Sequence, residues 1–441
     1  MRRRGFNTLA LAAAAPSLPA AAAAATGSRA AGEDGDCVSH VAWSRHTSLY
    51  EVNVRQFSAA GTLAEVQAQL PRLQAMGVGA LWFMPLQPIG VLNRKGTLGS
   101  YYSIRDYTTV NPEFGTLADF KRLVARAHAL GMKVLLDWVA NHTAWDHPWV
   151  TQHPAWYQRD AQGRIHAFVY PAAPGSAPEV WADVVGLDYH QPGLWPAMTD
   201  AMAFWLREAD IDGFRCDVAG LVPIPFWTQA RAALSRIKPM FMLAEADLPA
   251  LHRRAFDATY DWDLCTTLQR VAQGRDKPTA LHAWWQREQA KYPPDAYRMA
   301  FTTNHDINSW AGSDRELYGQ AFEAMAVLAA TLPGLPLVYG GQEAGLDRRL
   351  AFFERDPIAW KGLRLQGLYT RLLQLKRTHA ALANGAAGGA LQWQPAAHPQ
   401  VLAYTRQRDG EVLRVTANLG PDPAEQGGRA LAPWGWRIET A

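Results

Sequence analysis

From residue 48 to about residue 377 the chain repeats one pattern: a short apolar run of strand length, then a longer stretch with apolar side chains at helical spacing. The strand-like runs are 48–57, 80–85, 133–139, 213–218, 240–245, 258–263, 298–304 and 337–341. Helical patterns at 63–76, 117–130, 194–209, 320–332 and 362–377 lie between or after them. Strands that alternate with helices are expected to run parallel, with the helices packed outside. Eight repeats over roughly 330 residues suit a closed ring better than an open sheet. The pattern therefore predicts an α/β fold, a (β/α)8 TIM barrel spanning 48–380.

Two segments depart from the repeat. More than fifty residues separate the third run from the next helical pattern, and they are rich in Trp, Tyr, His, Pro and Gly. A connection that long is a functional loop or a small subdomain, and 143–190 is expected to form one, inserted after strand 3 on the catalytic face. After residue 380 the chain instead alternates as strands, near 401–406, 412–418 and 434–438. A small C-terminal antiparallel β domain over 381–441 follows from that period.

The chemistry sits at the ends of the runs. Asp217 and Glu245 each close one, and Asp306 follows another within the segment Thr303-Asn-His-Asp306. In a barrel, groups at the C-terminal ends of neighbouring strands converge on one cleft. Two carboxyl groups there are sufficient to cut a glycosidic bond. Eighteen Trp supply more flat apolar faces than a chain of 441 residues usually carries, and sugar rings present flat C–H faces to stack on. Most of these Trp are expected in the core.

The formal charge of +3 is matched by Arg2, Arg3 and Arg4 alone, and no basic stripe occurs elsewhere, so nucleic acid is not an expected partner. Residues 1–25 read as a signal peptide: a basic start, an Ala/Leu-rich stretch broken by Pro16 and Pro19, then small residues. That stretch is too weakly apolar to span a membrane. Arg3-Arg4-Gly-Phe6 resembles a twin-Arg export motif, and an ordinary secretory signal fits as well. Either predicts a periplasmic or secreted location, with no membrane contact in the mature form. Residues 26–47 read as a flexible lead-in. Three Cys exclude a dense disulfide framework; Cys37 and Cys265 can pair or stay free, and Cys216 is expected to face the helices as a buried apolar residue.

The segments Asp137-Trp-Val-Ala-Asn-His142, Gly213-Phe-Arg-Cys-Asp-Val218, Ala244-Glu-Ala-Asp247 and Thr303-Asn-His-Asp306 stand in the order and spacing of glycoside hydrolase family 13, the α-amylase family. Tyr102-Ser-Ile-Arg-Asp-Tyr107 and Gly334-Leu-Pro-Leu-Val-Tyr-Gly-Gly-Gln-Glu343 are similar to two further segments of that family. The resemblance implies an enzyme that cleaves α-1,4-glucosidic bonds with retention, acting as a monomer on α-glucan or maltooligosaccharide. An α-glucan transglycosylase, an α-glucosidase and a non-catalytic glucan-binding barrel are the alternatives.

By the same resemblance Asp217 is the nucleophile, Glu245 the acid/base and Asp306 the third carboxylate. Tyr102, His142, Arg215 and His305 join the substrate-binding set. Asp137 belongs with them by supporting Arg215 rather than by touching sugar. No cofactor is required for the chemistry. The family's structural calcium uses an Asn matched by Asn141, but Gly186 and Gly220-Leu221 replace other expected positions. The usual calcium set is therefore incomplete, with Asp183 and Asp188 as the remaining carboxylates nearby.

Overall fold

The computed structural model describes residues 38–171 and 177–441. The signal peptide, most of the lead-in and Cys37 lie outside those residues. Eight parallel strands form a closed barrel: β1 (Leu49–Val52), β2 (Ala80–Phe83), β3 (Lys133–Trp138), β7 (Gly213–Cys216), β8 (Phe241–Ala244), β9 (Ala258–Tyr260), β10 (Tyr297–Ala300) and β11 (Leu335–Tyr339). They pair in that order, and β11 returns to β1. Between β3 and β7 the chain adds an antiparallel sheet of β4 (His142–Ala144), β5 (Ala167–Tyr170) and β6 (Glu179–Gly186). This is the expected insertion. A four-stranded antiparallel sheet of Ala390–Trp393, Val401–Arg408, Glu411–Asn418 and Trp436–Thr440 closes the chain.

The alternation of side chains along a strand decides what fills the barrel. Leu49, Trp82, Leu135, Phe241, Leu243, Tyr260, Met299 and Leu337 form an inner cluster. Their neighbours Tyr50, Leu81, Leu136, Trp138, Phe214, Cys216 and Met242 pack with the helices. Cys216 thus faces outward as the sequence suggested, and among the described residues Cys216 and Cys265 are both free thiols. Continuing the inward set toward the C-terminal strand ends gives Glu51, Asp137, Arg215, Asp217 and Glu245. Register then sets their neighbours: Asp137 pairs with Arg215, and Glu51 with Trp82. Backbone bonds from Asp217 N to Trp138 O and from Glu245 N to Cys216 O, each 2.9 Å, extend the ladder one step past the assigned strands. Gly213 allows β7 to approach β8, since a Cβ there would lie 1.9 Å from Phe241 O.

Several boundaries differ from the sequence reading. The first run was expected as strand over 48–57, but a helix, Val54–Phe57, begins where the Asn53 side chain accepts from Gln56 N. The lead-in is not free up to residue 47. His40 stacks on Tyr297 and hydrogen-bonds Asp257 at 2.9 Å, Ala42–His46 forms a 3-10 turn, and Trp43 packs on Phe241. This segment plugs the floor of the barrel, because the inner apolar cluster would otherwise meet water there.

Candidate active site

Arg215 organises the site. Its guanidinium is wholly buried. Nη1 donates to Asp137 Oδ1 at 2.9 Å and to Asp217 Oδ1 at 3.0 Å. Nη2 lies 2.9 Å from Glu245 Oε1, an ion pair without good hydrogen-bond alignment. Nε donates to Tyr260 Oη at 3.0 Å. Trp82, Tyr102 and Tyr260 surround the cation with ring centroids 5.1, 5.6 and 5.7 Å away. One cation thus serves three carboxyl groups in a dry environment, an arrangement that favours planar Arg over Lys.

Exposure separates the roles. The side chains of Asp217, Glu245 and Asp306 are 9%, 14% and 29% exposed, whereas Asp137 is fully covered. Asp137 accepts from Arg215, from Trp82 Nε1 at 3.1 Å and from Tyr102 Oη at 3.1 Å. It therefore acts through these partners and presents no surface to a ligand.

Val218, directly after Asp217, has φ +35° and ψ 44°. A β-branched residue in that left-handed region is strained. The consequence is local: its N–H points at Glu245 Oε2 and donates at 2.7 Å. The backbone that carries Asp217 thereby also fixes Glu245.

His305 and His142 are held in opposite charge states. Burial disfavours charge on His305, but the Asp306 and Glu51 carboxylates outweigh it and push the imidazole up to about 9. Its Nδ1 donates to Glu51, and its Nε2 lies 2.7 Å from Tyr102 Oη and 3.3 Å from Asp306 Oδ2. His142 is buried without such partners and its imidazole is lowered to about 3, so it is neutral at physiological pH. Phe168 stacks on it and Trp181 meets it edge-on. Burial raises Asp217 well above the usual carboxylate range; Glu245 adds to that and Arg215 opposes it.

All eight residues expected from the sequence lie in this region. Four more belong with them: Glu51, Trp82, Tyr260 and Phe352. The only sequence signal for Glu51 is a lone carboxylate in the apolar run 48–57. Of the Trp residues in the third loop, Trp181 reaches the site; Trp149 and Trp156 pack together beside Tyr107. A cavity of about 600 Å³ bordered by Asp106, Trp149, Asp200 and Glu208 is lined by none of Asp217, Glu245 and Asp306.

The residues do not fit the family's calcium. A Cβ at Gly186 would lie 2.7 Å from the Gln158 side chain and 2.9 Å from Phe168, so no ligating side chain has room there. Asp183 is paired with Lys95 at 2.8 Å, and Asp188 with His190 and Gln191. Among the described residues no group of three or more His, Cys, Asp or Glu could hold a metal ion.

The family model for the α-amylase catalytic domain matches residues 33–361. The α-amylase MalA of Haloarcula japonica is 30% identical over 406 residues, covering 88% of this chain and 57% of that protein. An α-1,4-glucan:maltose-1-phosphate maltosyltransferase of Rhodospirillum rubrum is 29% identical over 410 residues, covering 85% of this chain and 56% of that protein. The chain thus spans a little over half the length of these two curated relatives. Among solved structures, an α-amylase from Lactobacillus plantarum has a TM-score of 0.78 at 31% identity, over 90% of this chain and 99% of that one.

Proposed function

The chain belongs to the α-amylase family, glycoside hydrolase family 13, and on that premise we propose that it is an exported, retaining hydrolase of α-1,4-glucosidic bonds in soluble maltodextrins. The observation that carries this reading is the shared buried guanidinium, which holds Asp217 and Glu245 on its two terminal nitrogens. Retention needs two carboxyl groups close together, about 5–5.5 Å apart, one as nucleophile and one as proton donor.

In the first step a carboxylate oxygen of Asp217 attacks the anomeric carbon. The bond to the glycosidic oxygen breaks, and Glu245 transfers its proton to that oxygen, leaving a glycosyl ester on Asp217. In the second step Glu245, now a carboxylate, takes a proton from water. The water oxygen bonds to the anomeric carbon and the Asp217 carboxylate leaves. The first step requires Asp217 as the carboxylate, and Arg215 works toward that state against burial. Charge builds on the sugar as the bond breaks, and Asp306 is the accessible carboxylate placed to offset it. Cationic His305 and neutral His142 are suited to hold ring hydroxyls. Tyr102 offers its ring face to the same sugar.

A second reading has a specific basis. Several curated relatives at 28–31% identity are maltosyltransferases by name. The glycosyl ester can be taken by another sugar as well as by water. The deciding experiment is a product profile from maltoheptaose, soluble starch and pullulan, with maltose 1-phosphate plus maltohexaose in parallel. Shorter maltodextrins and free reducing ends support hydrolysis. Chains longer than those supplied, with release of orthophosphate from maltose 1-phosphate, favour transfer. No change in any of them overturns both readings.

A further inference from the structure

Glu51 is a carboxylate that no ligand can reach and that the two displacement steps do not use. It lies in β1 with no exposed surface, and register places it beside Trp82 and Tyr339. One oxygen, Oε1, accepts from His305 Nδ1, and the other, Oε2, is buried without a hydrogen-bond partner among the described residues. A buried carboxylate with one oxygen unpaired costs folding energy, so stability does not account for it.

Counting protons fixes the state of its partner. Tyr102 Oη has one hydrogen and donates it to Asp137 Oδ2 at 3.1 Å. Toward His305 Nε2, 2.7 Å away, Tyr102 is therefore an acceptor. Asp306 Oδ2, 3.3 Å from the same nitrogen, can only accept as a carboxylate. Nε2 thus carries a hydrogen, and Nδ1 carries another toward Glu51. A ring that donates from both nitrogens is an imidazolium. It has no room to turn away: it is 1% exposed, stacked on Tyr102 at 5.4 Å and met edge-on by Trp82 at 6.0 Å.

Loss of the Nε2 hydrogen would change the cleft at two points. A bare lone pair would face the Asp306 carboxylate, and Tyr102 would turn its hydroxyl hydrogen from Asp137 to the imidazole. Asp137 braces Arg215, whose Nη1 also holds Asp217. Glu51 therefore reaches the reacting groups through His305, Tyr102, Asp137 and Arg215 in turn. Burial opposes charge on both His305 and Glu51. Asp306 joins Glu51 in favouring the imidazolium, while Arg215 works against it. His305 and Arg215 favour the Glu51 carboxylate, and Asp137 works against it. Tyr102, Tyr260 and Tyr339, which complete the surroundings, are kept neutral by burial.

We propose that Glu51 is a positioning residue for the reaction: its buried negative charge keeps His305 a donor at both ring nitrogens, which holds Asp306 and Tyr102 in place and extends turnover to higher pH than a neutral residue there would allow. This rests on the glycosidase reading above.

The test follows the His305 ring by nitrogen NMR of histidine-labelled protein between about pH 5 and 10, with its signals identified by their absence from His305→Asn. In the parent both ring nitrogens are expected to be protonated at neutral pH, with a midpoint of about 9. In Glu51→Gln an amide oxygen can still accept from Nδ1, but the charge is gone, and the midpoint is expected to fall by about one pH unit or more. The kcat/KM on maltoheptaose is read at about pH 6 and about pH 8.5, and the alkaline-to-acidic ratio is expected to fall about threefold or more in the variant. A variant that is merely loosened loses activity alike at both pH values and leaves that ratio unchanged. An unchanged ratio overturns the role given to Glu51, whether or not the midpoint moves. A parent ring that carries a single proton at neutral pH overturns it as well, and that result needs no variant to fold. A parent inert toward maltodextrins overturns the glycosidase reading, and the effect on turnover with it, whatever the ring titration shows.

Discussion

Replacing Arg215 with Lys keeps one positive charge and removes the geometry. The native guanidinium contacts Asp137, Asp217, Glu245 and Tyr260 through three different nitrogens, all within 3.0 Å, with no exposed surface. A single ammonium cannot span those partners, so at least one carboxylate is left buried and unpaired. Breaking a buried ion pair costs about 3–5 kcal/mol. On the roles proposed for Asp217 and Glu245, the lower figure carried into the transition state corresponds to about a 10²-fold loss in kcat/KM. The pH profile should move as well. Arg215 works against the burial and the Glu245 charge that raise the Asp217 carboxyl. With that opposition weakened, Asp217 is protonated over a wider range and the acid limb shifts to higher pH. The assay is kcat/KM on maltoheptaose between about pH 4 and 9, with circular dichroism to verify folding. A folded variant within about threefold of the parent, with its acid limb unmoved, would refute this reasoning.

Three further predictions follow from the same geometry. Asp217→Asn and Glu245→Gln should each lose several orders of magnitude in kcat while keeping the parent's melting temperature within a few degrees, as turnover and thermal scans will show. His305 is raised from 6.5 to about 9 in the fold, so its protonation contributes stability that is fully present below pH 6.5 and lost as pH rises to about 9. The contribution is on the order of 3 kcal/mol, and melting temperature should fall more steeply across that window in the parent than in His305→Asn. A chelator should alter neither activity nor melting temperature, because Gly186 is crowded and Asp183 is paired with Lys95; a clear loss restored by calcium would contradict that.

Much of the architecture was legible because apolar runs and polar ends coincide. Asp137, Arg215, Asp217 and Glu245 each sit inside or at the end of a buried strand, where alternation alone sends them to the barrel mouth. What was not legible has physical causes. The first strand was read through to residue 57 because Val54 and Phe57 are as apolar as the strand before them, and only the Asn53 cap separates the two. Glu51 looked like an ordinary strand residue, since its partner His305 is 254 positions away. Trp310, which lies on the surface, could not be told from a core Trp. Trp82, Trp138, Trp205, Trp227 and Trp284 are fully buried, and only the π-helical turn Ile307–Ala311 after Asp306 distinguishes the exposed one. The segment 38–47 is polar enough to read as loose, yet His40, Trp43 and Ser44 find partners on the barrel floor.

The assignment of Asp217 as nucleophile beside Glu245 as proton donor commits the enzyme to two displacements at the anomeric carbon, and hence to net retention. Proton NMR of maltoheptaose during the first minutes of reaction, before mutarotation, reads that outcome directly. The account predicts that newly released reducing ends appear as the α-anomer and relax to the equilibrium mixture afterwards. First appearance of the β-anomer would mean a single displacement by water, and would contradict the role given to Asp217.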